Sequence, residues 1–391
     1  MKKIRVGIVG TGFAANIHMR SYRRVYGVNV SVDAVCSRGE GAEVFAERYR
    51  VPTIKRDYKE LISNPDIDVI DICVPPFLHH TIIEEALTAG KHVICEKPLT
   101  GYFGDYDTAI YGKDVTIGDI DKRKMYEYTM SRTQHLSEVI AKSGKMFFYA
   151  ENWIYTPAIT KAASLLKKKK DKILFVKGEK SHSGSKLWHA ARWNQTGGGA
   201  LIRGGVHPLS AAIWLKMKEA EASEVEFGIT SVLGETGNVT KGLSKEELRF
   251  ISARPFDVED WGTALLTFAD GTHASVFAGD FVVSGMRNLL EINTNTGTLL
   301  CNIASNYSMA TCFATEQTPE DDETDDDEIR AWRYEALEDD FMFGYVHEIQ
   351  DFMECIIHQR QPLSDFKLAA ETVNAVYAAY LSAESGSRVT Y

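Results

Sequence analysis

The 391-residue sequence holds six cysteines but no C-x-x-C pair and no histidine cluster at zinc-ligand spacing. Cys36, Cys73, Cys95, Cys301, Cys312 and Cys355 lie far apart, which argues against a structural zinc site and fits reduced thiols in a cytoplasm. No metal is expected. No window approaches the roughly 18 consecutive apolar residues of a membrane-spanning helix. The opening MKKIRVGIVGTGF has a basic start, as a leader would, but its apolar run breaks at Gly10 and Gly12. A first β-strand accounts for it better. Basic charge is not in excess either: 44 Lys and Arg face 54 Asp and Glu, for a net charge of −10. Generic affinity for nucleic acid or anionic membranes is therefore not expected. Internal repeats are absent, and small molecules are the default partners.

What is present is an ordinary globular composition, 44% hydrophobic and 25% charged. The length exceeds what one core usually serves, so two domains are expected. Strand and helix patterns alternate at first. From MFFYAENWIYTP onward the chain turns strand-rich, with Asp-Gly and Thr-Gly turns of the kind antiparallel sheets use. That change divides the chain into residues 1–150 and 151–391.

The stretch IRVGIVGTGFAANIHMRSY reads as strand, glycine turn and helix. Gly10 permits the tight turn, Gly12 lets backbone approach a pyrophosphate, and Ala15 takes the third position of G-x-G-x-x-G/A. The helix N-terminus then faces the phosphates with its positive dipole end. The second strand, VNVSVDAVCSR, ends in Ser37 and Arg38 where NAD-binding units usually offer an acid. A hydroxyl and a guanidinium suit a 2′-phosphate, so the cofactor reading leans to NADP, with Glu40 keeping NAD open. A third unit, IDVIDICVPPFLHHTIIEEALTAGKHVICEKP, runs strand, Pro75-Pro76 turn, helix and strand. Parallel sheets bind ligands beyond the carboxyl ends of their strands, which puts Glu96, Lys97 and Pro98 at the cofactor edge.

The pieces GIVGTGFAA, VPPFLHH, AGKHVICEKPL, GGGALIRGGVHPL and a C-terminal stretch from HEIQDF to AESG together span most of the chain. With them the sequence resembles the glucose-fructose oxidoreductase, inositol dehydrogenase and rhizopine-catabolism (Gfo/Idh/MocA) family. The resemblance implies an α/β Rossmann domain with a doubly wound parallel sheet; the stretch at about residues 101–130 is longer than the resemblance leads one to expect and reads as an insertion, a lid or a subunit arm. The resemblance also implies a second domain built on an open, mostly antiparallel sheet, its last helices packing back toward the first. It implies hydride transfer between NAD or NADP and a secondary hydroxyl or ketone of a sugar, glycoside or cyclitol. Gly10, Gly12, Phe13, Ala14, Ser37, Arg38, Val74, Pro75, His79, Glu96 and Lys97 would line the cofactor, and a homo-oligomer, dimer or tetramer, would form. The family lysine falls on Lys97 and its histidine on His207. Its aspartate falls on Arg203, and the asparagine of its turn motif is also replaced.

Alcohol oxidation needs a donor to steady the developing alkoxide and a base to take the proton. Lys97 suits the first role. His207, followed by Pro208 and an apolar-periodic run, reads as sitting at a helix N-terminus, where the dipole disfavours imidazolium. The glycines at 197–199 and 204–205 would let backbone approach a ligand. Arg203 can only donate hydrogen bonds; either it clamps a substrate carboxylate or hydroxyls, or it pairs with an acid such as Glu151 or Glu179. Trp153 and Tyr155 fall where the family carries residues near the substrate entrance and either stack on a sugar or, as aromatics more often do, fill the core; His182 lies in a polar loop that either closes over a sugar or makes an oligomer contact. The acidic run at 316–332 reads as a solvated loop. Two other functions stay open: glycoside cleavage through transient oxidation, and a cofactor-binding regulator without turnover.

Overall fold

A computed structural model describes residues 3–104, 116–283, 285–303, 309–311, 333–335 and 339–391. The acidic run and residues 105–115 of the expected insertion lie outside the described residues.

Short β-branched runs alternating with helices build the first layer. In chain order they are β1 (Ile4–Val9), α1 (Phe13–Tyr22), β2 (Val30–Cys36), α2 (Gly41–Tyr49), β3 (Thr53–Lys55), α3 (Tyr58–Ile62) and β4 (Val69–Ile72), then α4 (His79–Thr88), β5 (His92–Glu96), α5 (Lys122–Ser143) and β6 (Phe147–Ala150). The six strands pair in the order β3-β2-β1-β4-β5-β6, all parallel. Helices cover both faces of such a sheet, so its strands read as near-continuous apolar runs; every residue of β4 and β6 is buried. Asp71 in β4 breaks that run and is matched by a buried histidine described below.

The chain continues through α6 (Pro157–Lys169), β7 (Ile173–Ser181), α7 (Trp193–Thr196), α8 (Val206–Ala222), β8 (Ile229–Gly237), β9 (Trp261–Phe268), β10 (His273–Gly279), β11 (Arg287–Thr294) and β12 (Thr298–Asn302). It closes with a small ladder of β13 (Met309–Thr311) and β14 (Arg333–Glu335), then α9 (Asp339–Met342), α10 (Tyr345–His358), α11 (Phe366–Ser385) and β15 (Val389–Thr390). The second sheet runs β12-β11-β7-β10-β9-β8-β15, antiparallel except for the β7–β10 pair. Burial alternates along β9, β10 and β11, the period-two signature of a sheet covered on one face. The covered face lies against α8 and α11. The other carries Trp261 and Phe277, rings 6.4 Å apart, and exposed Leu289.

The C-terminal helices tie the two layers together. Gln350 of α10 exchanges hydrogen bonds with the Tyr26 backbone, Arg20 of α1 pairs with Asp340, and Thr133 of α5 donates to Asn374 of α11. No helix among the described residues is long and apolar enough to cross a membrane.

Candidate functional site

The turn after β1 is shaped by what cannot fit there. Gly10 has φ +111°, and a Cβ on it would stand 2.2 Å from the Cys73 carbonyl oxygen; only glycine serves. Gly12 caps α1 in extended backbone without a side-chain capping bond, and a Cβ on it would meet nothing within 4 Å. The N-terminus of α1 is thus uncapped and open beside Gly12, as a pyrophosphate cradle requires. Phe13 is 81% exposed, Ala14 is half-buried, and Ala15 is fully buried against the sheet. This geometry fits a dinucleotide.

At the end of β2, Thr11 Oγ1 lies 3.3 Å from Ser37 Oγ. Arg56 Nη1 donates to the carbonyls of Ser37 and Gly39 at 2.9 and 2.8 Å, fixing the turn. Arg38 and Glu40 are both exposed there. The Pro75-Pro76 turn is pinned by His79, whose Nε2 lies 2.9 Å from the Val74 carbonyl and whose Nδ1 lies 2.8 Å from that of Pro98. Burial lowers the His79 pKa against the pull of the two carbonyls, and in its neutral form the ring donates to one of them at a time. It joins two loops of the cofactor edge across the cis Lys97-Pro98 peptide.

Glu96 ends β5 in a buried ionic chain that sequence spacing did not reveal. His18 Nδ1 lies 2.9 Å from Asp71 and its Nε2 lies 3.2 Å from Glu96. Tyr22 and Cys73 also donate to Asp71. Burial disfavours charge on His18, but Asp71 and Cys73 together outweigh it and raise the histidine pKa well above its ordinary value. Burial likewise opposes the Glu96 charge, yet His18 and Lys97 hold its pKa below the usual carboxylate value. The chain fixes the strand end from which Lys97 departs, and Glu96 also accepts from the Lys97 N–H.

Lys97 Nζ donates to the Arg203 carbonyl at 2.7 Å. Burial, opposed by Glu96 and Glu151, lowers its pKa. Arg203 sits in a π-turn, Leu201–Gly205, that runs straight into α8 and His207. The helical path thus starts near Ala200, where Glu259 accepts from the Gly199 and Leu201 N–H groups at 2.7 and 3.0 Å. His207 is therefore not at the dipole's positive end, as the sequence suggested, and Pro208 is not a first-turn proline. Proline lacks the N–H and crowds the carbonyl four residues back; the widened turn is the local response. Burial and the charges of Lys97 and Lys180, rather than the dipole, keep the His207 pKa low against the pull of Glu151.

The glycines of this segment also serve other partners than the ligand expected for them. A Cβ on Gly198 would stand 2.2 Å from the Tyr380 hydroxyl, and one on Gly199 would stand 1.8 Å from the Glu259 carbonyl oxygen. Tyr380 donates to Glu259, whose buried carboxyl is lifted to about 7. The loop is tight because protein, not substrate, presses on it.

His207 Nδ1 bonds Glu151 Oε1 at 2.7 Å, and its ring stacks on Trp153, centroids 5.8 Å apart at 12°. Nδ1 is thereby committed and Nε2 is left for chemistry. Glu151 was expected, if anything, beside Arg203. Instead Arg203 pairs with Asp280, which also lies 3.7 Å from His182 Nε2. His182 Nδ1 accepts from the Gly184 N–H at 2.8 Å. Trp153 is 1% exposed and reaches the site by bracing His207 and lying under Lys180 Nζ, 6.0 Å from the ring centroid. Tyr155, at 3% exposure, donates to Asp351 and accepts from the Ser364 N–H; it does not join the others.

Arg203→Ala would strand the Asp280 carboxylate, which is 7% exposed. The expected loss is about 1–3 kcal/mol of unfolding free energy, read from denaturant titration, with Arg203→Lys recovering part of it. An Arg203→Ala protein as stable as the parent sinks the structural assignment.

Two further residues complete the cluster, Glu151 in a role other than the one expected for it and Lys180, which the sequence expectations missed. Glu151 follows the apolar strand β6 much as Lys97 follows β5, a shared signal at neighbouring carboxyl ends. Lys180 closes β7, and its pKa, lowered by burial and Lys97, is about 8. Donor, acceptor and base thus meet where the first sheet's strand ends face the second sheet, an arrangement able to steady an alkoxide and move its proton.

Residues 4–110 match the family described as "Oxidoreductase family, NAD-binding Rossmann fold", and residues 171–300 match the GFO/IDH/MocA C-terminal domain. An uncharacterized oxidoreductase of Bacillus subtilis, YrbE, is 35% identical over 101 residues, 25% of this chain and 29% of that protein. Levoglucosan dehydrogenase of Pseudarthrobacter phenanthrenivorans is 34% identical over 118 residues, 28% of this chain and 30% of that enzyme. The similarity to each of these two relatives thus spans less than a third of its length. The crystal structure of GenD2 from gentamicin A biosynthesis in complex with NAD superposes with a TM-score of 0.76 at 19% identity, covering 100% of this chain and 97% of that one. With both of the family's domains matched in order, and the parallel and mixed sheets in place, the chain belongs to the Gfo/Idh/MocA family of oxidoreductases.

Proposed function

We propose that the protein is an NAD(P)-dependent dehydrogenase or reductase acting on a secondary hydroxyl or ketone of a sugar, glycoside or cyclitol. One observation carries the reading: Lys97, from the first sheet, donates to the backbone of the very turn that delivers His207 from the second part of the chain. Levoglucosan dehydrogenase among the relatives supports a carbohydrate substrate. Gly10, Gly12 and the α1 N-terminus would hold the pyrophosphate of the cofactor. The nicotinamide, when bound, supplies the hydride acceptor or donor.

Lys97 spends one N–H on the Arg203 carbonyl and has two others with which to hold the reacting oxygen. In the oxidation direction His207 Nε2 takes the hydroxyl proton. Glu151 holds the ring through Nδ1 and balances the imidazolium that forms. Trp153 keeps the ring plane fixed, and Lys97, kept below its ordinary pKa by burial, gives up part of its charge cost as the oxygen becomes anionic. The test is a scan of sugars, glycosides, cyclitols and uronates with NAD and NADP, read at the reduced-nicotinamide absorbance band. Cofactor binding without turnover across that panel defeats the proposal.

The cofactor lean is to NADP, supported by exposed Arg38 and by Ser37 at the end of β2. A charged hydrogen bond to a phosphate contributes about 1.5–3 kcal/mol. Arg38→Ala should therefore cut the NADP-to-NAD ratio of kcat/KM by about 10- to 100-fold. A ratio that stays put in the variant shifts the assignment to NAD. The free, buried thiols among the described cysteines suit a reducing cytoplasm, and the open face around Trp261 and Phe277 suits packing against a second copy.

A further inference from the structure

Among the described residues of the cluster, Lys180 has neither an ion pair nor a carbonyl to hold its ammonium. Around it, Arg203 is paired with Asp280, His207 with Glu151, and His18 with Asp71 and Glu96. Lys97 is held on a carbonyl with Glu96 and Glu151 in electrostatic reach. Lys180 forms no ion pair with any of the described residues; its Nζ contacts are the Met286 sulfur at 4.0 Å and the face of Trp153, 6.0 Å from the ring centroid. That indole is the one stacked on His207. Lys180 thus lies against the ring that braces His207, close enough for its charge to act on both Lys97 and His207.

Its position is built rather than incidental. A Cβ on Gly204 would lie 3.2 Å from Lys180 Cγ, so the glycine of the π-turn makes room for the lysine stem. Gly178, two residues earlier on the same strand face, packs against Pro208, which directs Lys180 inward from β7 beside α8. The half-buried ammonium has lost part of its hydration, and the anion in electrostatic reach, Glu151, is hydrogen-bonded to His207 rather than to it. At neutral pH it remains mostly protonated, its pKa being about 8.

We propose that Lys180 binds a carboxylate carried by the substrate, so that the preferred substrates are acidic sugars of the uronate type rather than neutral polyols. The inference rests on the oxidoreductase reading and narrows it. A single compact ammonium matches a monoanion. A dianionic phosphate ester is best met by several donors, such as a guanidinium fork or a helix N-terminus, and the guanidinium nearby, Arg203, already pairs with Asp280 through Nη2. A substrate anion would also offset the positive charge that Lys97, Lys180 and an oxidised nicotinamide ring concentrate in one place.

The experiment compares methyl β-D-glucopyranoside, methyl β-D-glucopyranosiduronate and glucose 6-phosphate as substrates. It uses the parent, Lys180→Met and Lys180→Arg, with folding checked by thermal melting. Titration calorimetry on the reduced-cofactor complex measures binding of the same three compounds without turnover. The expected result is a preference for the uronate of at least about tenfold in kcat/KM, carried mainly by KM, lost in Lys180→Met and largely restored in Lys180→Arg. Uronate binding that depends on Lys180, with no turnover of any compound, supports the carboxylate site while defeating the oxidoreductase reading. A uronate preference unchanged in Lys180→Met, a better neutral sugar, a better phosphate ester, or no binding of the uronate at all overturns the proposal.

Discussion

In Lys97→Met, turnover is expected to fall by about 10²- to 10⁴-fold, with cofactor affinity, read from quenching of protein fluorescence, changing much less. Methionine keeps the length and the apolar stem but removes every donor from the head group. In the parent, the ammonium sits just past the carboxyl end of β5, with the Glu96–His18–Asp71 chain behind it. Its bond to the Arg203 carbonyl fixes the remaining N–H groups toward the cavity. Removing it takes away stabilisation that matters most when the substrate oxygen becomes anionic, so the loss should appear in kcat more than in KM. The carbonyl of Arg203 also loses its partner, and a moderate fall in thermal stability should accompany the kinetic one. A Lys97→Met enzyme with a kcat within threefold of the parent would remove the lysine from the chemistry.

How much of this was legible beforehand depends on how local each signal is. Gly10, Gly12 and Ala15 announce themselves because a strand, a turn and a helix lie within one short segment whose steric demands fall on those residues. Lys97 is visible for a similar reason: an apolar strand that stops on charges marks a carboxyl edge. The parallel sheet follows from the alternation of strands and helices, and the second sheet from its turns and period-two burial. The hidden features are pairings across long separations. His18 and Asp71 are 53 positions apart and each looks out of place in its own element until the other is seen. Arg203 and Asp280 are 77 apart, and the choice of Asp280 over Glu151 or Glu179 is made by sheet geometry. Lys180 looks like one more charge on a strand bearing Lys177 and Glu179. Only the inward face it shares with Gly178 separates it from those solvated neighbours.

His207 misled in an instructive way. Its position before a proline suggested a helix start and hence a dipole, whereas the path is already helical one turn earlier and Glu259 takes the cap. The functional consequence, a neutral imidazole, is reached by another cause: burial beside two ammonium groups. This difference is measurable. If the dipole mattered most, changing Glu151 would have little effect on the titration of the ring. With burial and charge in control, Glu151 is the main influence holding the pKa up.

His207→Ala is accordingly expected to lower kcat/KM for oxidation by about 10²- to 10⁴-fold near neutral pH, because no base remains to take the hydroxyl proton. Glu151→Gln is the sharper companion. The amide oxygen still accepts from Nδ1–H and keeps the ring oriented, but the negative charge that favours imidazolium is gone. The parent should lose oxidation activity on the acid side as His207 becomes protonated, with an inflection below the ordinary histidine value since its pKa is lowered. Removing Glu151 removes an influence that raises that pKa, so the acid limb of the kcat/KM profile must move to still lower pH. The maximal rate should fall at the same time, by about 10- to 100-fold, since the imidazolium formed in the step is no longer balanced. A flatter, slower profile displaced toward acid is the signature of a positioning carboxylate acting through His207. An acid limb that shifts upward, or does not shift while the rate falls, would mean that the titrating base lies elsewhere, with the lowered lysines Lys97 and Lys180 the next groups to examine.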